Sequence, residues 1–240
     1  MSRFASRFTM DEVRRFWDGV AGAYEHENVK IDRVHTQRFR EALRRLTLRS
    51  GMRLLNIWSR IGGAVPYLRK ACDGLALVHA ELSLEMIRRS RTRYPDEEVV
   101  QTSLHELPFL PASFDAVLSL ETLEHVPDPL LFLREVRRVL VPGGTFVMSL
   151  PPSTAEWTSV LNGLLRFHHG EGPHRFLSPR TVKKMLSEAG LTLDEHRGTL
   201  FLPFGGMVFE GADRMLTRLF RDGPFAQFGL RQFYVCTASM

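Results

Sequence analysis

The sequence predicts an α/β fold, with a seven-stranded and mostly parallel sheet, helices on both faces and a C-terminal antiparallel strand. After residue 50, short apolar runs alternate with longer segments of helical periodicity, which is typical of repeated βαβ units. Prolines and glycines stand at the ends of several segments, where they open or end helices. Two further apolar runs follow in the last third of the chain. Together these observations favour one open sheet flanked by helices.

The first part of the pattern supplies five strands, each predicted from a short apolar run. They are Arg53–Ile57, Leu75–Glu81, Glu98–Thr102, Phe114–Leu120 and Thr145–Leu150. The helices between them are predicted at Ala64–Cys72, Leu84–Tyr94 and Pro129–Leu140. A proline at a helix start costs little, because the first helical N–H has no partner within the helix. Pro142, Gly143 and Gly144 are then expected to break the chain before the fifth strand.

After the fifth strand the rhythm changes. The aromatic and His-containing stretch Trp157–Phe176 is interpreted as an insertion over the edge of the sheet. Beyond it we predict a helix Pro179–Ala189 that Gly190 ends, a sixth strand Leu191–Thr199, a short helix near Asp213–Phe220 and a last strand Gln232–Ala238. No internal repeat or low-complexity linker divides the chain.

The composition is that of an ordinary globular protein, with 240 residues, 44% of them hydrophobic and 25% charged. No apolar run approaches the ~18 residues that cross a bilayer, and the basic N-terminus lacks the apolar core of a secretory signal. We therefore expect a cytoplasmic location. Cys72 and Cys236 are far apart and outside a CxxC spacing, so neither a disulfide nor a thiolate zinc site is predicted. Both thiols are expected to be buried.

The net charge of +5 arises from 32 basic and 27 acidic residues. Arginine clusters such as those at 88–93 and 137–138 fall on predicted amphipathic helices, where a solvated polar face explains them better than a nucleic-acid surface. Nucleic acid is therefore not expected as a partner. Peripheral contact with acidic lipid headgroups or with a negatively charged protein stays open.

An open parallel sheet binds ligands at the carboxyl ends of its strands, near the switch in strand order. In this chain that edge carries the loops after the first four strands. These loops span residues 56–63, 81–83, 103–108 and 121–129. We therefore look for site residues there.

Several short motifs occur together in and around these loops. They are Leu-Pro-Phe at 107–109, Phe-Asp-Ala-Val at 114–117, Leu-Glu-His-Val at 123–126 and Val-Leu-Val-Pro-Gly-Gly at 139–144, with Phe-Trp-Asp at 16–18 and His-Arg-Phe-Leu-Ser at 174–178. In this order and spacing they resemble the class I S-adenosylmethionine-dependent methyltransferases, most closely the small-molecule and lipid-quinone type. The resemblance covers nearly the whole chain. It implies a Rossmann-like fold, S-adenosylmethionine as cofactor and methyl transfer as the activity.

The resemblance also implies a domain organisation. Residues 1–240 are expected to form a single methyltransferase-like domain. Its parts are N-terminal lid helices at 1–50, a cofactor-binding core at 51–150, an insertion at 151–178, and a C-terminal helix and strands at 179–240.

The loop after the first strand departs from the family pattern. Family members have an acidic residue at the strand end and then glycines at alternate positions, whereas this chain has Asn56, Trp58, Arg60 and only then Gly62. Glycine suits such a turn because the backbone lies against the cofactor and adopts a positive φ, which costs other residues ~1 kcal/mol or more. We therefore expect a degenerate cofactor loop. An indole directed into the pocket would fill the volume meant for the methionine part of the cofactor, whereas an indole rotated outward would not.

The next two loops keep more of the pattern. The resemblance implies that Glu81, at the end of the second strand, accepts hydrogen bonds from both ribose hydroxyls, with a solvated strand end as the alternative. Ser103 stands where the family's adenine-binding Asp is expected, and its hydroxyl can still accept one hydrogen bond. Leu82, Leu104 and Leu120 complete the predicted cofactor-binding set.

Glu124 and His125, in the fourth loop, are the candidate pair for proton chemistry. Methyl transfer from a sulfonium needs mainly in-line positioning of the acceptor, so a general base is required only for a hydroxyl or carbon acid. A helix-entry role behind the cofactor site is an equally good interpretation of His125. His168, His169 and His174 lack the ordered spacing of a metal motif, so no metal is predicted.

Three functional hypotheses remain open. The first is methyl transfer from S-adenosylmethionine to a small or lipid-linked acceptor despite an impaired cofactor site. The second is a catalytically inactive pseudo-methyltransferase that binds and supports an active partner of the same fold, because Asn56, Trp58, Arg60 and Ser103 weaken every part of the site. The third is recruitment to another reaction, with Arg60 meeting an anionic substrate. The Phe-rich segment 201–228 suits an apolar acceptor, a membrane-proximal substrate or a homo- or hetero-oligomer contact.

Overall fold

Seven strands form one sheet in the computed structural model, which describes residues 2–24, 26, 32–156, 172–202, 207–221 and 223–239. The strands are β1 Arg53–Ile57, β2 Ala76–Glu81, β3 Glu98–Gln101, β4 Phe114–Leu120, β5 Leu140–Leu150, β6 Leu191–Thr199 and β7 Arg231–Ala238. Their order in the sheet is β3-β2-β1-β4-β5-β7-β6. Strands β1 to β5 are parallel, and β7 pairs antiparallel with both β5 and β6. The predicted sheet with its C-terminal antiparallel strand is confirmed.

Helices cover both faces of this sheet. The described helices are α1 Met10–Val20, α2 Asp32–Leu43, α3 Val65–Ala71, α4 Leu84–Arg93, α5 Pro129–Val139, α6 Pro179–Glu188 and α7 Met207–Phe220. The larger core joins α1, α4, α5 and α6 to one face of the sheet, through residues such as Trp17, Met86 and Leu133. A second core joins α2 and α3 to the other face, through Phe39 and Leu68. The strand ends therefore lie between two packed layers.

Side-chain caps fix where the helices next to the site begin. Thr9 and Glu12 form a capping box at the start of α1, and Ser83 accepts a hydrogen bond from the backbone N–H of Met86 at the start of α4. Asp128 caps α5, whose first residue is Pro129. Each cap gives an N–H of the first turn an acceptor, so the loop before each helix has a defined end.

The observed bounds agree with the predicted ones to within two residues except at two places. Strand β5 begins at Leu140 rather than Thr145, because its pairing with β4 shifts between Phe114 and Ala116, and Gly143 and Gly144 lie in the resulting irregularity. The expected break is thus a bulge inside the strand. Helix α7 extends six residues further toward the N-terminus than the predicted short helix.

The two cysteines differ in their surroundings. Cys236 is buried in β7, and burial raises the pKa of its thiol. Cys72 is only partly buried, so the expectation for this residue was wrong. It follows the last turn of α3, where its Sγ reaches the carbonyl oxygen of Asp73 at the surface.

Residues 157–171 of the predicted insertion, including His168 and His169, lie outside the described residues. His174 and Phe176 lie within them. No helix in the described ranges has the length and apolarity needed to span a membrane.

Candidate functional site

Loops from three strands meet beneath α1 at the carboxyl edge of the sheet. The β1 loop (residues 58–64) contacts the end of β2, where the N–H of Arg60 donates to Glu81 over 2.7 Å. It also contacts the loop after β4, since the rings of Trp58 and His125 lie 5.0 Å apart. Helix α1 covers this junction, with the ring of Trp17 5.7 Å from that of His125. The fold thus brings together residues that are far apart in the sequence.

The β1 loop has the backbone conformation for which family members use glycine. Trp58, Arg60 and Gly62 all have positive φ, at 56°, 55° and 80°. The two non-glycine residues therefore hold a conformation that costs each of them about 1–2 kcal/mol. Glycine is needed at position 62 for two reasons: its φ is positive, and an added Cβ would lie 2.7 Å from the ring of Tyr94. The expectation of positive φ at these alternate positions is confirmed.

Glu81 is fully buried and its carboxylate is engaged by backbone groups. Oε1 accepts hydrogen bonds from the N–H groups of Leu82 and Ser83, at 2.8 and 3.0 Å, and Oε2 accepts the one from Arg60. Burial raises the pKa of Glu81, while the Arg60 cation and the three N–H groups act in the opposite direction. In this conformation the side chain holds the β1 and β2 loops together.

The guanidinium of Arg60 lies against two tryptophan rings. Its central carbon is 3.6 Å from the ring centroid of Trp17 and 3.5 Å from that of Trp58. Cation–π contacts of this kind contribute up to about 2 kcal/mol each when they are desolvated. Burial lowers the pKa of Arg60, and the Glu81 carboxylate acts in the opposite direction. Arg60 and Trp58 therefore point inward and fill the space over the strand ends.

Trp17, Trp58 and Arg60 form a cluster whose polar atoms are incompletely hydrogen-bonded. Nη1 of Arg60 and Nε1 of Trp58 are buried without a hydrogen-bond partner among the residues that the structure describes. Leaving a buried donor unpaired costs about 1–3 kcal/mol. The cluster is therefore held by stacking and burial more than by polar contacts.

His125 is buried against the same cluster. Its Nδ1 lies 3.0 Å from the carbonyl oxygen of Pro173, which can only accept, so Nδ1 carries the proton. Burial, and next the positive charge of Arg60, lower the pKa of His125 well below its ordinary range. The imidazole is therefore neutral, with its lone pair on Nε2. Glu124 Oε1 is 3.9 Å from that nitrogen.

Asn56 of β1 pairs in register with His79 of β2, two residues before Glu81. Its Nδ2 donates to Nδ1 of His79 over 3.1 Å, and Nε2 of His79 lies 3.8 Å from Glu97. Arg69 makes two hydrogen bonds to the same carboxylate. His79 and Arg69 together lower the pKa of Glu97 to about 2. Where family members have an acid, this chain has an amide inside a buried polar chain.

The other predicted residues occupy mixed positions. Ser103 is exposed, and its hydroxyl accepts the N–H of His105, so the structure does not bring it to the cluster. Leu82 and Leu104 are buried in the larger core, and Leu120 is the last residue of β4. The ring of His174 lies 5.9 Å from that of His125.

A cavity of about 300 Å³ opens beside the β1 loop, between α2 and the start of α3. Of the predicted cofactor residues, Asn56, Trp58, Arg60 and Leu120 border it. Glu81, Ser103 and His125 do not line this cavity. Its volume is at the lower limit for small-molecule sites. The predicted ribose-binding residue, Glu81, therefore lies outside the lining of the open space.

A buried ion pair next to this site was not predicted. Arg231, the first residue of β7, donates from Nε to Glu121 over 3.1 Å and from Nη1 to Gln37 over 2.6 Å. Ser149 donates to the same Glu121 oxygen. Glu121 follows β4 with a positive φ of 53°, which no local sequence signal indicates. Only the antiparallel placement of β7 beside β5 brings Arg231 here.

The chain is similar to known methyltransferases in both sequence and fold. Residues 59–148 match the family model described as a methyltransferase domain. The demethylmenaquinone methyltransferase of Renibacterium salmoninarum is 32% identical over 151 residues, covering 62% of this chain and 62% of that protein. The probable phthiotriol/phenolphthiotriol dimycocerosates methyltransferase 2 of Mycobacterium ulcerans is 33% identical over 147 residues, covering 58% of this chain and 57% of that protein. The chain thus spans about three fifths of the length of these relatives.

Solved structures agree on the fold. A chain from the complex between a Haloferax volcanii methyltransferase activator and a methyltransferase superposes with a TM-score of 0.73 at 22% identity, covering 93% of this chain and 98% of that one. An identity this low supports the fold alone. Together, the sequence matches and the seven-stranded sheet show that the chain is similar to class I S-adenosylmethionine-dependent methyltransferases, in residues 59–148 and in its fold.

Proposed function

We propose that this chain transfers a methyl group from S-adenosylmethionine to a small or lipid-linked acceptor, and that its own Arg60 and Trp58 weaken cofactor binding. The proposal rests on the cation held between Trp17 and Trp58, next to Glu81. Indole faces attract cations, and the cofactor's sulfonium is a cation as well. The chemistry of these residues therefore fits the cofactor, although Arg60 takes up the same aromatic surface.

Bound S-adenosylmethionine supplies an electrophilic methyl group on its sulfonium. Trp17 would face that charge once the Arg60 side chain has moved away, whereas the Trp58 indole takes up volume that the cofactor needs. Glu81 would hold the ribose only after releasing part of its three backbone hydrogen bonds, which requires the β1 loop to move. Cofactor binding therefore competes with contacts inside the protein.

His125 is the residue that we propose as proton acceptor for a hydroxyl or carbon-acid substrate. A neutral imidazole with a lone pair on Nε2 is the form that a general base needs. The Pro173 carbonyl oxygen orients the ring through Nδ1, and the Glu124 carboxylate, 3.9 Å from Nε2, would stabilise the imidazolium once that nitrogen has taken up a proton. A lipid-linked acceptor is supported by the relatives named for demethylmenaquinone and for phthiotriol dimycocerosates.

Calorimetric titration with S-adenosylmethionine and S-adenosylhomocysteine tests this proposal. We would compare the wild-type chain with Trp58→Gly and with the double variant Trp58→Gly, Arg60→Gly. Removing two cation–π contacts worth about 1 kcal/mol each corresponds to roughly 30-fold tighter binding. Arg88→Ala, whose side chain is 74% exposed on α4, is the control and should bind as the wild type does.

Micromolar binding by the wild type, tightened in the double variant, would support the proposal and justify assays with quinone and lipid acceptors. Failure of all three forms to bind either compound would overturn it. Thermal unfolding of each variant is measured beside the titration, so that a lost fold is not taken for a lost site.

A second candidate is a cofactor-free pseudo-methyltransferase that pairs with an active chain of the same fold. It is favoured by the Glu81 carboxylate, which three backbone N–H groups already engage. The similar Haloferax chain was solved with a methyltransferase activator, which supports pairing as a use of this fold. This candidate predicts no binding by the wild type, recovery in the double variant, and a mass in light scattering above that of one chain.

A further inference from the structure

Large apolar side chains are exposed together in one part of the chain. Met215, Leu219, Phe225 and Phe228 are 57, 65, 54 and 55% exposed. They lie within helix α7 and the 3₁₀ turn Gly223–Phe228 that follows it. The other exposed large apolar side chains among the described residues are scattered singly over the sequence, at positions 84, 110 and 131. A cluster of this kind calls for an explanation, whereas single exposed residues do not.

Helix α7 presents two different strips outward. Met215 and Leu219 are four residues apart, so they lie on one face of the helix. Arg214 and Arg218 have the same spacing and lie beside them. The opposite side of the helix is anchored, because buried Asp213 accepts a hydrogen bond from the N–H of Leu202 over 3.0 Å. The helix therefore carries an apolar strip next to a basic one.

The basic strip borders a groove of about 830 Å³ between α2, β6 and α7. Seven arginines and three carboxylates line this groove, a net charge of +4. Two of the carboxylates are engaged on the α2 and β6 side, where Arg45 pairs with Glu41 at 2.9 Å and with Glu195 at 2.8 Å. Arg218 makes no ion pair with any described residue. The net charge of the groove is divided evenly, with +2 on the α2 and β6 side and +2 on the α7 side.

The 3₁₀ turn continues the same surface. The ring of Phe225 lies 5.3 Å from that of Phe220, the last residue of α7, so the turn packs back on the helix end. Gly198 of β6 fixes this arrangement, because an added Cβ would lie 1.9 Å from the carbonyl oxygen of Ala226. Phe225 and Phe228 are thus held exposed by a packed backbone.

We propose that α7 and the turn 223–228 form a docking surface for a bilayer that contains anionic lipids. The apolar side chains would enter the headgroup region, and the arginines would bind lipid phosphates. Nucleic acid would match the arginines and leave the four apolar side chains without a role. A second copy of the chain would bring two grooves of like charge together. The combination of apolar and basic strips fits an anionic membrane surface, and it does not depend on the proposed methyl transfer.

Co-sedimentation of the full chain with lipid vesicles tests this surface. We expect binding to vesicles of phosphatidylcholine mixed with phosphatidylglycerol, weaker binding to phosphatidylcholine alone, and release by salt. Each arginine near an anionic surface strengthens binding roughly fivefold. Arg214→Gln with Arg218→Gln should therefore weaken binding to the mixed vesicles about 25-fold and change binding to phosphatidylcholine little.

Leu219→Ser with Phe225→Ser should weaken binding to both kinds of vesicle by roughly tenfold or more. The control is Leu110→Ser, since Leu110 is 79% exposed and lies outside this surface, and it should bind as the wild type does. Unchanged thermal unfolding shows that each variant is folded.

Three results would overturn the proposal. The first is failure of the wild type to sediment with the mixed vesicles. The second is binding by the Leu219→Ser, Phe225→Ser variant that equals binding by the wild type. The third is a wild-type dimer in light scattering that this variant abolishes. Binding of a single-stranded RNA oligonucleotide more tightly than the mixed vesicles, unaffected by the apolar substitutions, would favour nucleic acid instead.

Discussion

Replacing Glu81 with glutamine tests whether this buried carboxylate organises the β1 loop. Glutamine keeps one carbonyl oxygen, which can retain the N–H groups of Leu82 and Ser83 that now bind Oε1. Its amide nitrogen then faces the N–H of Arg60, which loses its acceptor while buried. A hydrogen bond to a charged group contributes about 1.5–3 kcal/mol. Removal of the buried charge offsets part of this loss, because burial raises the pKa of Glu81. We expect a net loss of about 2 kcal/mol.

For a chain of this size, about 2 kcal/mol corresponds to a fall in Tm of roughly 4–8 °C. Thermal unfolding and urea titration of Glu81→Gln measure it. The matched control is Glu85→Gln on α4, whose side chain is 35% exposed and pairs only with surface arginines among the described contacts. It should change stability by less than about 0.5 kcal/mol. If Glu81→Gln is as stable as this control, the carboxylate does not hold the loop and the reasoning fails.

Three further predictions concern titration and packing. The NMR signals of His125 should show no titration around pH 6.5, because burial lowers its pKa. Since the folded state favours the neutral imidazole, His125 reduces the stability of the fold as pH falls below 6.5. A titration midpoint near pH 6.5 would contradict the lowered pKa. The pKa of Glu97 is about 2 instead of 4.5, so its carboxylate stabilises the fold above pH 4.5 and loses this effect as pH falls toward 2. In Glu97→Gln, the free energy of unfolding measured in urea should therefore depend less on pH over that range. The same pH dependence in the variant and the wild type would show the pairing to be absent. Gly198→Ala should destabilise by about 2 kcal/mol or more in urea unfolding, because its Cβ would meet the Ala226 carbonyl oxygen. An added Cβ at Gly211 meets no described atom within 4 Å beyond its own helix turn, so Gly211→Ala should instead stabilise by about 0.5–1 kcal/mol. Equal effects of both glycine variants would rule out the steric argument.

The sequence alone determined the order of the elements and the edge of the sheet where the site lies. Apolar runs and helix-ending residues are local signals, so they place β1 to β7 and most helix ends without knowledge of neighbours in space. The alternate positions 58, 60 and 62 were also assigned correctly as left-handed, because that requirement belongs to the backbone of the turn and not to its side chains. The break expected before β5 is instead a bulge inside the strand, since pairing with β4 begins at Leu140, shifts at the glycines and resumes at Thr145.

Only the tertiary structure decided where the side chains of the site point. The sequence left open whether Trp58 turns inward, and the answer depends on Trp17 from α1, which offers Arg60 a second aromatic face. Likewise Arg231 and Glu121 are 110 residues apart, and they meet because β7 inserts between β5 and β6. Contacts of this kind are chosen by burial and charge among side chains from distant segments, so no local pattern in the sequence carries them.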